Sequence, residues 1–184
     1  ISAALIKQIP NIFTLLNLFF GCMAVVYILQ PGLVPMYSTA NSYLAAELAD
    51  NGTQYINIPE QVFMASVFIG IASVIDFLDG FVARLLGATS EMGKQLDSLA
   101  DVVSFGVAPG MIMYQFLRRS YANDESGIDT SILYIWPAFI IAAAAAYRLA
   151  KFNLDSSQQF GFKGVPTPAV GLFIASFPLI YWHG

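Results

Sequence analysis

The sequence predicts an all-α protein, a polytopic bundle of transmembrane helices. Of its 184 residues, 57% are hydrophobic and only 11% are charged, and the mean hydropathy is +0.66. A soluble domain of this length cannot bury that much apolar surface. Apolar runs of about 20 residues are typical of helices that span a bilayer. Five such runs are present, at Ile9–Leu29, Val62–Val82, Leu99–Leu117, Ile132–Leu149 and Val165–Trp182.

The first run is interpreted as a spanning helix and not as a signal peptide, because it is long and no small-residue cleavage site follows it. It carries Asn11, Thr14, Asn17 and Gly21 within about a third of the helix circumference, and such a stripe faces protein or ligand, not lipid. In the loop that follows, residues 41–52 are expected to form a short interfacial helix that ends at an Asn-Gly pair.

Four aspartates flank the turn between the second and third runs, in the stretch DFLDGFVARLLGATSEMGKQLDSLAD. Asp76 and Asp79 are three residues apart and Asp97 and Asp101 are four apart, so each pair lies on one face of its own helix. The segment between the pairs is polar enough to turn. Two adjacent helices can therefore direct all four carboxylates at one point near the membrane surface.

Unpaired carboxylates at this place are energetically expensive. An Asp near the centre of a spanning helix costs about 2.5–3.5 kcal/mol, so four could approach roughly 10 kcal/mol, comparable to the stability of a whole domain. Arg84 and Lys94 are too few to neutralise them, whereas two divalent cations can. Oxygen ligands without His or Cys favour Mg²⁺ or Mn²⁺ over zinc. Helix caps and solvated loop acids would explain one of these aspartates, but not all four.

Small residues follow the aspartates on the same helix face, one turn further along the second run, so this part of the face carries no bulky side chain. Gly80 lies four residues beyond Asp76, and Ala83 lies four beyond Asp79. The guanidinium of the neighbouring Arg84 can bind phosphate oxygens through two hydrogen bonds. The pattern predicts a phosphate-bearing ligand beside the metals, although close helix packing explains Gly80 equally well.

The whole stretch matches D-x2-D-G-x2-A-R-x8-G-x3-D-x3-D with its spacing intact, and it resembles the signature of the CDP-alcohol phosphotransferase family. Members of that family are integral membrane enzymes, often homodimers, which transfer a phosphatidyl-type group from a CDP-linked donor to an alcohol and release CMP. Two metal ions can clamp a diphosphate, and a carboxylate can accept the proton of the attacking alcohol.

The resemblance also implies roles for individual residues. Two divalent ions would be held by Asp76, Asp79 and Asp97, and Asp101 would contribute a ligand and act as the base. The residues expected to border the cytidine diphosphate are Gly80, Ala83, Arg84 and Gly93, together with Asn11 and Thr14 from the first helix.

Three further stretches resemble the phosphatidylserine synthase branch of the family, which implies CDP-diacylglycerol as donor and L-serine as acceptor. They are residues 96–109, 147–153 and 164–169. Arg148 and Lys151 end a helix, where they complement the helix dipole and can bind the serine carboxylate or a lipid phosphate. Anchoring by the positive-inside tendency explains this pair equally well, and the branch commonly has Arg at the position of Lys151.

The distribution of basic residues predicts an orientation in the cytoplasmic (inner) membrane, with the acidic stretch facing the cytoplasm. Arg118 and Arg119 are the two exceptions, and they can snorkel to the outer headgroups. The other six lie in the segments that this orientation places inside: Lys7, Arg84, Lys94, Arg148, Lys151 and Lys163.

Two alternatives to serine transfer remain open. The same chemistry can use glycerol 3-phosphate or an inositol phosphate as acceptor. A cation transporter or channel would also place aspartates in the membrane, but Arg84 would repel its cations. We expect one integral domain over residues 1–184, a homodimer, and contacts with membrane lipids but not with nucleic acid. The family core has six spans, so we expect C-terminal helices beyond residue 184. We also expect Pro109 to kink the third span.

Overall fold

The computed structural model describes residues 8–30, 32–36, 47–48, 54–58, 61–122, 132–154 and 164–183. It confirms a bundle built from α-helices. The α-helices of the described residues are α1 (Ile9–Leu29), α2 (Val62–Leu85), α3 (Glu91–Val102), α4 (Ala108–Ala122), α5 (Ile140–Leu154) and α6 (Thr167–His183).

Three helical stretches of the described chain are long and apolar enough to cross a membrane, namely Ile9–Leu29, Val62–Leu85 and Glu91–Tyr121. Their outer surfaces expose large apolar side chains such as Phe77, which is 66% exposed, as a helix in contact with lipid requires. The fourth predicted span begins with 3₁₀ turns ahead of α5. The fifth corresponds to α6, whose apolar part, Thr167–Ile180, is shorter.

A π-helical turn, Val103–Val107, joins α3 to α4 and makes the third predicted span one continuous helix. In this turn the N–H of Ala108 donates to the carbonyl of Val103, five residues earlier. Pro109 follows at once and has no N–H to offer the carbonyl four residues before it. The distortion expected at this proline therefore takes the form of a π turn two residues after Asp101.

The segment between α1 and α2 contains a small antiparallel sheet, where the sequence predicted a short helix over residues 41–52. The prediction was wrong at Glu47 and Leu48, which form the second strand, and its other residues lie outside the described part of the chain. Strand pairing outweighed the helix propensity of the Leu-Ala-Glu composition. The strands are β1 (Gly32–Met36), β2 (Glu47–Leu48) and β3 (Gln54–Ile58), in the order β1-β3-β2.

The core of the bundle forms where α1 and α2 pack on the π turn and on α4 and α6. Most of its residues are small or aliphatic, which lets the helices approach closely. Phe105 of the π turn is completely buried. It fits against Gly171 of α6, where a Cβ would lie 3.0 Å from the Cα of Phe105. The turn that follows Asp101 is thus held at the centre of the bundle.

Candidate active site

Helices α2 and α3 bring three aspartates together. Asp76, Asp97 and Asp101 each offer a carboxylate oxygen, and these oxygens lie within 4.8 Å of one another. Asp101 is buried, with 6% of its surface exposed, and the other two are half-buried. The three- and four-residue spacings give each helix one acidic face, and α1 packs against both helices. A donor set of close carboxylate oxygens can hold a divalent metal ion.

Asp79 lies outside this group of three. It is 5% exposed, and its Oδ2 accepts a hydrogen bond of 2.9 Å from Oγ1 of Thr14 in α1. The sequence predicted four converging carboxylates. The structure groups three of them and places Asp79 against the first helix, on the wall of a cavity that Asp97 also lines.

That cavity has a volume of about 460 Å³ and combines predicted residues with others that the motif did not indicate. The predicted residues on its wall are Asp79 and Asp97 together with Asn11, Thr14, Gly80, Ala83 and Gly93. Those not predicted for this site are Pro10, Ala88, Thr89, Ser90, Glu91 and Lys94.

The start of α3 forms one side of the cavity. Ser90 caps this helix, its hydroxyl accepting a 3.0 Å hydrogen bond from the N–H of Gly93. A serine that directly precedes a helix is a recognisable N-cap signal, so the sequence could have placed this helix end beside the signature. The positive end of the helix dipole and the charge of Lys94 favour an anionic ligand here.

The signature glycines correspond to close approaches between side chains. A Cβ at Gly93 would lie 3.0 Å from both Oδ1 of Asn11 and Oγ of Ser90, so glycine at this position allows a close approach between α1 and α3. A Cβ at Gly80 would lie 3.5 Å from Nη1 of Arg84. The exposed Arg84 therefore folds over Gly80 at the cavity wall, although it is not one of the residues that line the cavity.

Asn17 is a site residue to which the sequence assigned no role. It is completely buried in α1, and its Nδ2 donates a 3.2 Å hydrogen bond to Oδ1 of Asp101. Its membership of the polar stripe with Asn11 and Thr14 was the available signal. The stripe indicates a buried face but does not identify the acidic side chain that meets it.

The two cations predicted near the acceptor are separated from the aspartates' cavity. Arg148 is half-buried, and its Nη1 donates a 2.7 Å hydrogen bond to Oγ1 of Thr167. It borders a second cavity of about 260 Å³ whose other walls, including Phe105, are mostly apolar. Lys151 is exposed and does not line either of these cavities.

The three stretches that resembled one branch of the family contact one another in the bundle. The Arg148–Thr167 bond joins the second stretch to the third. Nδ2 of Asn153 donates a 2.8 Å hydrogen bond to Oγ of Ser98, which joins the second stretch to the first. Nζ of Lys94 also bonds the carbonyl of Asn153, at 3.2 Å. These hydrogen bonds therefore connect the three stretches in one part of the bundle, which includes the helix that carries Asp101.

Comparison with known proteins gives the same family. A family model described as CDP-alcohol phosphatidyltransferase matches residues 7–183. A Bacillus subtilis (strain 168) protein named CDP-diacylglycerol–serine O-phosphatidyltransferase is 34% identical over 148 residues, which cover 80% of this chain and 76% of that protein. A protein of the same name from Helicobacter pylori (strain J99) is 33% identical over 167 residues, 90% of this chain.

An archaeal relative, the archaetidylserine synthase of Methanothermobacter thermautotrophicus, is 30% identical over 155 residues, 83% of this chain. The chain spans 54% of the length of the Helicobacter relative and 59% of the archaeal one. No solved structure matches the chain significantly. With the family model matched along nearly all of its length, this chain belongs to the CDP-alcohol phosphatidyltransferase family.

Proposed function

We propose that the protein is a CDP-diacylglycerol–serine O-phosphatidyltransferase, which transfers the phosphatidyl group of CDP-diacylglycerol to L-serine and yields phosphatidylserine and CMP. The observation that carries the proposal is the group of Asp76, Asp97 and Asp101 beside a cavity lined by the family signature. Relatives named for serine transfer, at 34% and 33% identity, support serine as the acceptor.

The first cavity is the proposed site of the cytidine diphosphate. Its volume of about 460 Å³ suits a nucleotide-sized ligand. Gly80, Ala83 and Gly93 contribute no large side chain to the wall, and Asn11 and Thr14 supply polar contacts from α1. The positive end of α3, Lys94 and the guanidinium of Arg84 offset the charge of the diphosphate. Together these features explain how the cavity would bind the cytidine diphosphate of the donor without a contact to Asp101.

Asp76, Asp79, Asp97 and Asp101 are the proposed ligands of two divalent cations, Mg²⁺ or Mn²⁺. When bound, such ions offset the diphosphate charge and stabilise the attacking and leaving oxygens. Thr14 keeps the Asp79 carboxylate oriented toward the cavity side of the site. Asp79 thereby lies between the group of three carboxylates and the cavity proposed for the cytidine diphosphate.

Asp101 is the proposed base. The serine hydroxyl is a poor nucleophile until a carboxylate takes its proton. As the proton moves to Asp101, the serine oxygen forms a bond to the phosphorus that carries diacylglycerol, and the bond from that phosphorus to CMP breaks. The hydroxyl must lose this proton whether the displacement is direct or passes through a covalent intermediate.

The second cavity is the proposed place for the acceptor's anionic group. Arg148 borders it, and an apolar surrounding strengthens a charge-assisted hydrogen bond to a carboxylate. Thr167 holds the guanidinium at the cavity edge. Lys151, one helical turn further and exposed, would attract the anion without closing on it.

The enzyme is proposed to act as a homodimer in the cytoplasmic (inner) membrane, surrounded by lipid, with its site open to the cytoplasm. Four cations support this orientation. Arg84 and Lys151 lie in the last turns of α2 and α5, and Lys94 and Arg148 line the first and the second cavity. Positive residues collect on the cytoplasmic side of membrane proteins. Exposed apolar side chains on α2, such as Phe81, suit contact with lipid or with a second copy.

The test is an assay of the purified chain with CDP-diacylglycerol, Mn²⁺ or Mg²⁺, and a mixture of radiolabelled L-serine, glycerol 3-phosphate and inositol phosphate. We expect a chloroform-soluble product labelled from serine, dependent on the metal and accompanied by CMP. A product labelled mainly from another alcohol would keep the chemistry and overturn the acceptor. No lipid product from any of the three would overturn the proposed function.

A further inference from the structure

Asn17 joins the first helix to the acidic site from a completely buried position. Its Nδ2 donates to Oδ1 of Asp101 at 3.2 Å, and its backbone carbonyl accepts a 3.1 Å hydrogen bond from Oγ of Ser104. Asp101 and Ser104 are three residues apart, where α3 passes into the π turn. One residue of α1 therefore holds this transition at two points.

The packing around these bonds is close enough to fix their geometry. Ser104 is 0% exposed and rests over Gly21, one turn beyond Asn17. A Cβ at Gly21 would lie 2.9 Å from the Cα of Ser104. The bare glycine thus lets the π turn approach α1, and the approach brings Asp101 within reach of the Asn17 amide.

A second buried side-chain amide, that of Gln115, differs from Asn17 in the group to which it donates its hydrogen bond. Gln115 of α4 is 4% exposed, and its Nε2 donates a 3.2 Å hydrogen bond to the carbonyl of Ile28 in α1. The side-chain oxygens of Gln115 and Asn17 both lack a hydrogen-bond partner among the described residues. Gln115 bonds a backbone carbonyl far from the acids, whereas Asn17 bonds a carboxylate of the site. The packing of α4 against α1 is therefore enough to explain the hydrogen bond of Gln115. It does not explain why the amide of Asn17 bonds a carboxylate of the acidic site.

We propose that Asn17 is a positioning residue that fixes the carboxylate of Asp101, an inference that rests on the proposed function. Asn17 donates to Oδ1 of Asp101, and the other carboxylate oxygen, Oδ2, is the one that we expect to meet the serine hydroxyl. A carboxylate turns easily about its last side-chain bond, because that torsion is broad. The hydrogen bond removes this freedom and holds the base in its reactive orientation.

The test compares Asn17→Leu, which keeps the side-chain shape but has no donor, with Gln115→Met, which removes the other buried amide. Both are measured in the full chain with saturating CDP-diacylglycerol, L-serine and Mn²⁺. We expect the single-turnover rate of Asn17→Leu to fall about 10- to 100-fold, as is typical when a supporting partner is lost. The dissociation constant of CDP-diacylglycerol should stay near that of the wild type, and Gln115→Met should keep its turnover.

Rates are expressed per molecule that binds CDP-diacylglycerol, so that unfolded protein does not enter the comparison. If Asn17→Leu yields no folded protein, Asn17→Ser replaces it, because the shorter hydroxyl cannot reach Asp101. Turnover equal to that of Gln115→Met would overturn the proposal and leave Asn17 as a packing residue. An equal loss of turnover and donor binding would also overturn it.

Asp101→Asn, measured in the same series, distinguishes a failure of the proposed function from a failure of the positioning role of Asn17. An inactive Asp101→Asn beside a fully active Asn17→Leu would refute positioning and leave the proposed function intact. A fully active Asp101→Asn would remove the base and, with it, the role of Asn17.

Discussion

Replacing Asp101 by Asn tests the proposed base most directly. The amide keeps the size of the side chain and can still accept the hydrogen bond from Asn17, but it cannot take a proton from the alcohol. Asp101 is 6% exposed, so bulk water is a poor substitute. Asp76 and Asp97 lie within 4.8 Å but are committed to the proposed metals. We expect turnover to fall about 10²- to 10⁴-fold, or about 2.7–5.4 kcal/mol of transition-state stabilisation.

Donor binding should change much less than turnover. The cavity proposed for the cytidine diphosphate is lined by thirteen residues that do not include Asp101. The assay therefore pairs the single-turnover rate with the CDP-diacylglycerol dissociation constant, for wild type and Asp101→Asn at saturating Mn²⁺. A parallel collapse of both would indicate that Asp101 acts only as a metal ligand and not as the base. Unchanged turnover would refute the reasoning altogether.

Three further predictions concern the metals, the signature glycine and the acceptor. Asp76→Asn or Asp97→Asn should abolish transfer and weaken Mn²⁺ binding, measured by titration, because each change removes a carboxylate from a group of three. Wild-type turnover of either variant at ordinary Mn²⁺ concentrations would show that the proposed ligand set is wrong. Gly93→Ala should lower turnover at least about tenfold, since its methyl would lie 3.0 Å from two side-chain oxygens. Gly70→Ala, with nothing within 4 Å of the added Cβ, is the matched control and should stay active; equal activities would refute the close approach. Arg148→Ala should raise the KM for serine far more than that for CDP-diacylglycerol, and an equal rise in both would exclude an acceptor role.

Much of the architecture could be read from composition and periodicity. The first helix, Ile9–Leu29, has the predicted bounds, and the second runs three residues further than predicted, to Leu85. Apolar length determines such helices, because every backbone polar group in lipid must be satisfied within its own segment. The segment between these two helices was predicted poorly. At Glu47 and Leu48 pairing with a distant strand replaced the predicted helix, and strand pairing leaves only a weak local signal.

By itself the sequence determined the membrane class and the family. It also predicted which aspartates share a helix face, because a fixed spacing on a helix fixes which side chains lie together. It could not determine how those faces meet. Only the tertiary structure placed Asp79 against Thr14 of the first helix, placed Arg148 at a second cavity and brought Asn17 to Asp101, 84 positions away along the chain. The positions of Asp79 and Asn17 depend on how closely α1 packs against its neighbours. That distance is set by contacts at bare positions such as Gly21 and Gly93, whose partners lie on other helices and leave no local pattern in the sequence.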